Sequence, residues 1–499
     1  MPRDPMRDVI VLLPGIIGSR LVRNGRTVWG YSAAAVARTL LTGGGSMCAD
    51  LMLASDPADG SDPGDGVVAD ATIPDLHLLP HFWKIDGYGR IASFLRAVFD
   101  VEVGHNYFEF PYDWRRDNRA AAARLLRDSG AWLKAWQERS GNKDARLILV
   151  AHSMGGLVAR YFLECHDGWR TTRALITFGT PYRGALNALD TLSNGMRIGL
   201  VDLSPAMRSF TSVYQLLPIY PCYDPGSGRL ARIGEVLGAP AIVPDDPVAT
   251  LNALRRFRAG GPGGKATAAL ANIDAIKVLD ALIFHYEILA AAHVHAQQEE
   301  YRAKAYRVCP VVGIAQVTGQ QARDNSGSVL VEPQYEGRDL GGDGTVPRVS
   351  AEPPGRESGR DAMFAATKHG SLQNADAVLN HLRGLINSFY LDLGGFLAPP
   401  TTPPIRVALE VPDIVLGDQG LHVRARPTEP AALRAIVRAG ATNKIAAQFG
   451  LQPADGCWHE AVYRGLPPGE YRLEIAAGED AQRVETAADA FVVAGDAGV

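Results

Sequence analysis

The chain has 499 residues, 46% of them hydrophobic and 21% charged, a balance that fits an ordinary globular protein and neither a disordered nor a fibrous one. A formal net charge of -4, with no Lys/Arg-rich run, excludes the positive footprint that a phosphate backbone demands, so nucleic acid is not an expected partner. The length exceeds what one hydrophobic core usually organises and points to one large unit and one smaller one.

Taken in order, residues 1–8 carry a few charges and lead into the apolar run Val9–Leu13. That run is too short for a signal-peptide core and has no small-residue cleavage site behind it, so it predicts a buried strand and a cytoplasmic protein, with unconventional export left open. No stretch reaches the roughly 18 to 20 apolar residues needed to span a bilayer, so any membrane contact is expected to be peripheral. The Asp-, Gly- and Pro-rich residues 56–66 have no calcium-ligand spacing and read as a mobile surface loop. Further strands are expected at 107–110, 146–151 and 174–178. Between the first two, residues 120–138 show helical spacing of Leu125, Leu126, Trp132, Leu133 and Trp136. Alternating strands and helices are the pattern of a parallel sheet covered by helices.

From about 185 to 305 that rhythm breaks. The segment is loop-rich around Pro218 and Pro221, Gly-rich at 260–264, and then helical through Ile273, Ile276, Leu279, Ile283 and Leu289. An insertion of this kind after a late strand reads as a cap over the sheet, and a strand at 308–314 returns the chain to the core. Clustered prolines near 398–404 forbid helix continuation and mark a boundary between residues 1–398 and 405–499. Beyond it, Leu421, Val423 and Ala425 alternate with polar neighbours, as do Tyr471, Leu473 and Ile475, which predicts a small immunoglobulin-like β-sandwich. The five cysteines are scattered and odd in number, a pattern of reduced thiols rather than of a zinc site or a disulfide scaffold.

The strongest local signal runs from Leu147 to Ala159: an apolar strand, Ser153 between small residues, then a helix. Ala151-His152-Ser153-Met154-Gly155 is a nucleophile elbow with alanine at the usual first glycine, and it implies an α/β-hydrolase fold. Serine is a poor nucleophile until a base takes its proton, and the base needs an orienting carboxylate. In this fold the chain order is Ser, then Asp or Glu, then His. Asp343, between glycines on a tight loop, and His369, just past an apolar segment, satisfy that order.

Among twelve histidines, His369 is best placed. His152 is expected to point away from Ser153 and to support packing. His293 and His295, two apart on a predicted helix, do not share a face and so make no metal pair; His381 sits on a predicted surface helix. The developing oxyanion would be received by two backbone amides, Met154 after the nucleophile and Ile16 in the glycine-bearing turn 14–19. The chemistry calls for no metal and no organic cofactor, and no ligand cluster stands out.

The motifs Pro14-Gly15-Ile16-Ile17-Gly18-Ser19, Phe110-Pro111-Tyr112-Asp113-Trp114-Arg115, Ala151-His152-Ser153-Met154-Gly155-Gly156, Gly179-Thr180-Pro181-Tyr182-Arg183-Gly184 and Gly342-Asp343-Gly344-Thr345-Val346-Pro347 together resemble the lecithin:cholesterol acyltransferase family, which includes lysosomal phospholipase A2 and phospholipid:diacylglycerol acyltransferases. The resemblance covers about residues 9–389 and leaves the terminal β region outside. It implies Ser153, Asp343 and His369 as a triad, Ile16 and Met154 as oxyanion amides, a structural role for 112–115, and an acyl-pocket element at 212–218. Two departures stand out: Cys48 has no nearby partner for the early disulfide-closed loop of secreted and lysosomal members, and the signal peptide of such members is not seen.

The expected activity is that of a lipid acyl hydrolase, phospholipase- or lipase-like, or an acyltransferase, acting on a lipid or other ester through an acyl-serine. The alternative is an effector in which the C-terminal β region binds a protein partner and directs a subordinate hydrolase.

Overall fold

The computed structural model describes residues 2–494 apart from 31–45, 58–59, 75–76, 80–82, 199–200, 244, 261–266, 305, 355–361, 391–404, 417–418, 441 and 479–483. Six parallel strands form the central sheet: β1 (Val9–Leu13), β2 (Tyr107–Glu109), β3 (Leu147–His152), β4 (Thr172–Phe178), β5 (Arg307–Gly313) and β6 (Met363–Ala365). They lie in the order β6-β5-β4-β3-β1-β2. Every residue of β1 and β3 is buried, as expected where both faces of a parallel sheet are covered and the strands read as continuous apolar runs. The register pairs Leu13 with Ala151, Val311 with Phe178 and Gly313 with Ala365. The strands therefore end together, and the loops that leave them gather at one edge, where open α/β sheets place their ligand sites.

The helices relevant to that edge are α1 (Gly89–Val98), α2 (Asn118–Ser140), α3 (Gly155–Cys165), α4 (Ala275–Ala296) and α5 (Asp376–Ser388). Helix α2 starts where the Asp117 side chain accepts the Arg119 N–H and ends at Gly141, whose φ of 71° is the left-handed turn a glycine C-cap supplies. Leu125 and Leu133 are buried on it, but Leu126, expected on the same apolar face, is 42% exposed. One residue along a helix is a turn of about 100°, and that takes Leu126 off the stripe. Helix α4, within the segment expected to form a cap, is bonded to α2 through Arg119, which reaches Glu287 at 2.8 Å and Asp280 at 3.0 Å.

The described part of the 56–66 loop is not free. Asp56 accepts from Arg116 Nε at 3.0 Å and from the Asp117 N–H at 2.7 Å, and Asp65 pairs with the buried Arg115 at 2.8 Å. Two arginines that follow the Tyr112-Asp113-Trp114 motif thus pin a segment whose composition suggested mobility. Burying a guanidinium is tolerable only with its donors answered, and Asp65 and Asp113 answer those of Arg115.

The C-terminal region is all β. One sheet joins Val407–Glu410, Leu421–Pro427, His459–Tyr463 and Gln452–Pro453; the other joins Ile414–Leu416, Ala487–Ala494, Gly469–Ala477, Leu433–Ala439 and Ile445–Gly450. Val407, Val423, Leu473 and Phe491 from the two sheets share a hydrophobic core separate from that of the central sheet, the arrangement of a β-sandwich. The proline-rich boundary expected near 398–404 lies outside the described residues. Among the described residues no helix is long and apolar enough to cross a membrane, and all five cysteines are free thiols.

Candidate active site

Strand β3 delivers Ser153 to the sheet edge and α3 leaves immediately after Met154. Ser153 has a φ of 52°, a left-handed conformation that costs a non-glycine residue about 1–2 kcal/mol and that persists where packing enforces it. The turn is tight because other backbone lies against it. A side chain at Gly155 would collide with the Pro14 carbonyl, and a methyl at Gly15 would stand 2.8 Å from Ser153 Cβ. The Gly15 loop is thereby packed on the nucleophile's own turn.

Ser153 Oγ lies 2.9 Å from His369 Nε2, and His369 Nδ1 lies 2.8 Å from Asp343 Oδ2. A carboxylate only accepts, so Nδ1 carries the imidazole proton and Nε2 is left to accept from the serine hydroxyl. The other carboxylate oxygen, Asp343 Oδ1, takes the N–H groups of Thr345 at 3.0 Å and Val346 at 2.7 Å. The His369 backbone N–H donates to the Asp343 carbonyl at 2.8 Å, so aspartate and histidine are joined through main chain and side chain alike. Ser153 and Asp343 are 0% exposed and His369 is 2%. Such a buried carboxylate is tolerated because its hydrogen-bonding capacity is met. Glycine is required at 179, where φ is 56° and a methyl would stand 2.7 Å from Asp343 Oδ2 and 2.8 Å from His369 Nδ1.

Of the two amides expected to receive an oxyanion, that of Met154 follows the serine directly in the chain, and that of Ile16 follows Gly15, whose loop packs on the serine's turn. Met154 is the N-cap of α3, at a helix start where the first N–H groups have no intrahelical acceptor. In the facing loop the Gly15 N–H is committed to Tyr88 Oη at 2.6 Å, which leaves Ile16 as the next amide of the turn.

Two residues of the site escape sequence reasoning. His152 does not simply point away to pack: its Nε2 lies 3.0 Å from the His369 carbonyl, and its Nδ1 lies 2.9 Å from Tyr88 Oη. A carbonyl only accepts, so His152 Nε2 is protonated and Nδ1 accepts from the tyrosine, which in turn accepts from Gly15. This string of three hydrogen bonds connects the Gly15 loop to the histidine loop beneath the nucleophile. Burial, reinforced by the nearby His369 ring, pushes the His152 pKa well below its ordinary value, which keeps it neutral. Tyr88, just before α1, has no sequence signature; His152 could have been found only by its adjacency to Ser153.

A serine on a strand-to-helix turn, bonded to a histidine that is bonded to an aspartate, at the C-terminal edge of a parallel sheet covered by helices, places this chain in the α/β-hydrolase fold class. Within that class, residues 84–242 match the family model described as lecithin:cholesterol acyltransferase, the family that the motifs resemble. Ser153 lies inside the matched segment; Asp343 and His369 lie beyond it.

The human lysosomal phospholipase A and acyltransferase is 28% identical over 149 residues, covering 27% of this chain and 35% of that protein. The lecithin-cholesterol acyltransferase-like 4 protein of Arabidopsis thaliana is 27% identical over 215 residues, covering 39% and 38%. The chain thus spans little more than a third of the length of the curated relatives it matches. Among solved structures, a chain of the Tle4-Tli4 complex aligns with 78% of this chain and 99% of its own length, at 15% identity and a TM-score of 0.47.

Proposed function

We propose that this chain is a serine-dependent lipid acyl hydrolase or acyltransferase, with Ser153 as nucleophile, His369 as base and Asp343 as the base's orienter. The observation that carries it is the unbroken hydrogen-bond line from Ser153 Oγ through His369 to Asp343, at 2.9 and 2.8 Å. Support for a lipid ester as substrate comes from the family match over 84–242 and from relatives described as phospholipase and acyltransferase.

In the first half-reaction Ser153 Oγ attacks the ester carbonyl carbon while its proton passes to His369 Nε2. Asp343 stays ionised and stabilises the imidazolium through Nδ1–H. The carbonyl oxygen becomes an oxyanion facing the Met154 and Ile16 amides, an interaction whose loss typically costs about 10²- to 10³-fold in rate. Collapse expels the alcohol, which takes the proton from His369, and leaves an acyl-serine. In the second half water, giving a free fatty acid, or an alcohol, giving a new ester, attacks the acyl carbon as its proton passes to His369; the acyl–Oγ bond then breaks and Ser153 Oγ takes that proton back. Ser153 has no exposed surface, so the ester reaches Oγ only when covering chain moves aside.

The test is release of fatty acid from phospholipid vesicles by the wild type and by Ser153→Ala, with and without a lipophilic alcohol. Release by the wild type alone is the expected result; a new ester in the presence of alcohol would mark transfer. Equal release by both proteins would remove Ser153 from the chemistry.

A further inference from the structure

The loop that brings His369 to Ser153 is not held by the central sheet alone. Ala366 N–H donates to Glu485 Oε1 at 2.9 Å, Thr367 Oγ1 to the Thr486 carbonyl at 3.5 Å, and Lys368 N–H to the Ala488 carbonyl at 3.3 Å. Lys368 Nζ lies 3.4 Å from Asp489 Oδ2, whose side chain is fully buried. Each of the three residues before His369 is therefore bonded to the C-terminal sandwich, Ala366 and Thr367 to Glu485 and Thr486 just before the Ala487–Ala494 strand and Lys368 to Ala488 and Asp489 within it. On the other side, Gly370 accepts the Asp86 N–H at 2.8 Å, and the Asp86 carboxylate is paired with Arg472 of the same sandwich.

Gln316 joins the seam to the aspartate. Its backbone N–H donates to the Gly342 carbonyl at 3.0 Å, one residue before Asp343. Its Nε2 donates to the Ala366 carbonyl at 2.6 Å and to the Val407 carbonyl at 2.9 Å, and its Oε1 accepts the Leu409 N–H at 2.9 Å. Gln316 is buried, where a hydrogen-bonded amide is strong and an unanswered one is costly. One side chain thus bonds the histidine loop and a sandwich strand together while its backbone holds the turn that carries Asp343.

We infer that the C-terminal β-sandwich is the brace of the histidine loop, with Gln316 and Glu485 as positioning residues that set His369 against Ser153. The inference rests on His369 being the base of the proposed reaction. A base must sit within hydrogen-bond reach of the proton it takes, and a misplacement of about 1 Å costs on the order of 100-fold in rate. A sandwich that served only to recruit a partner would have no need to bond the residues on either side of His369. Here its strands Val407–Glu410 and Ala487–Ala494 are committed to that task.

The test uses the full chain, with turnover of p-nitrophenyl butyrate and amide hydrogen exchange measured on the wild type, Ser153→Ala, Glu485→Ala, Glu485→Gln and Gln316→Met. Glu485→Ala should lower kcat about 10-fold and Gln316→Met on the order of 10- to 100-fold, with KM changed less than about two-fold. Glu485→Gln keeps an acceptor for the Ala366 N–H and should restore kcat, a rescue that a loss of general stability would not predict. In both deficient variants the amides of 366–370 should exchange faster than in the wild type. Wild-type kcat together with unchanged exchange at 366–370 in Glu485→Ala and Gln316→Met would overturn the brace, and if Gln316→Met does not fold the Glu485 pair decides alone. A wild type as silent as Ser153→Ala would count against the serine chemistry instead, and the exchange rates would then decide the brace by themselves.

Discussion

His152 Nε2 donates to the backbone carbonyl of His369 across 3.0 Å, so the residue before the nucleophile holds the loop that carries the base. Replacing His152 with alanine removes its hydrogen bonds to that carbonyl and to the Tyr88 hydroxyl. A lost hydrogen bond of this kind is worth about 1 kcal/mol, and with the loop's displacement kcat should fall about 10-fold at nearly constant KM. Steady-state kinetics on a soluble ester would decide; a KM effect with kcat intact would mean that His152 contacts substrate instead.

Asp343→Asn should separate orientation from shape. The amide oxygen can still accept from Thr345 and Val346, so the loop should stay folded and the melting temperature near that of the wild type. The amide N–H₂ cannot accept from His369 Nδ1, so the imidazole is driven to the other tautomer and Nε2 can no longer take the serine proton. A fall in kcat of about 10³- to 10⁴-fold is expected. Activity within ten-fold of wild type would show that His369 is oriented by something other than Asp343.

Gly179→Ala places a methyl 2.7 Å from Asp343 Oδ2 and 2.8 Å from His369 Nδ1, at a φ of 56°. The left-handed backbone costs about 1–2 kcal/mol, and relief of the contacts must push aspartate and histidine apart. The expected phenotype is a loss of kcat on the order of 100-fold. Labelling of Ser153 by a fluorophosphonate should slow in parallel; an unchanged labelling rate would contradict it.

Stability should fall with acid through a histidine outside the catalytic line. His285 Nε2 donates to the Gln215 carbonyl at 2.8 Å, and burial lowers its pKa to about 4 against the opposing pull of that hydrogen bond. The unfolded chain, with a value near 6.5, binds the proton first as pH falls. The stabilisation is therefore whole above about pH 6.5 and drains as pH drops toward 4, by up to about 3 kcal/mol. His285→Gln can keep a donor but has no proton to gain, so its urea midpoint should depend less on pH over that window. Parallel midpoint curves for the two proteins would remove His285 from the acid response.

What was legible in the sequence is what local chain geometry dictates. The apolar run Leu147–Ala151 followed by His152, a serine and small residues can fold as little else than a strand, an elbow and a helix, and the order of Asp343 and His369 after it narrows the choice of base. What was not legible depends on groups brought together from afar. Tyr88 and His152 are 64 residues apart, and His152 meets the His369 carbonyl 217 residues away; no spacing rule encodes such a meeting. Leu126 lies off the buried face because periodicity marks a stripe more broadly than the helix buries it. The Asp-rich 56–66 loop looked mobile because its partners, Arg115 and Arg116, lie on a different motif.

The side chain of Gln316 accepts from Leu409 N–H and donates to Val407 C=O, and so stands in for a strand rung of the sandwich while its own backbone belongs to the Asp343 turn. Two hydrophobic cores stitched in this way are expected to melt together, because neither can unfold without tearing buried polar bonds that the other supplies. A calorimetric scan of the intact chain should therefore show a single cooperative peak rather than two resolved ones.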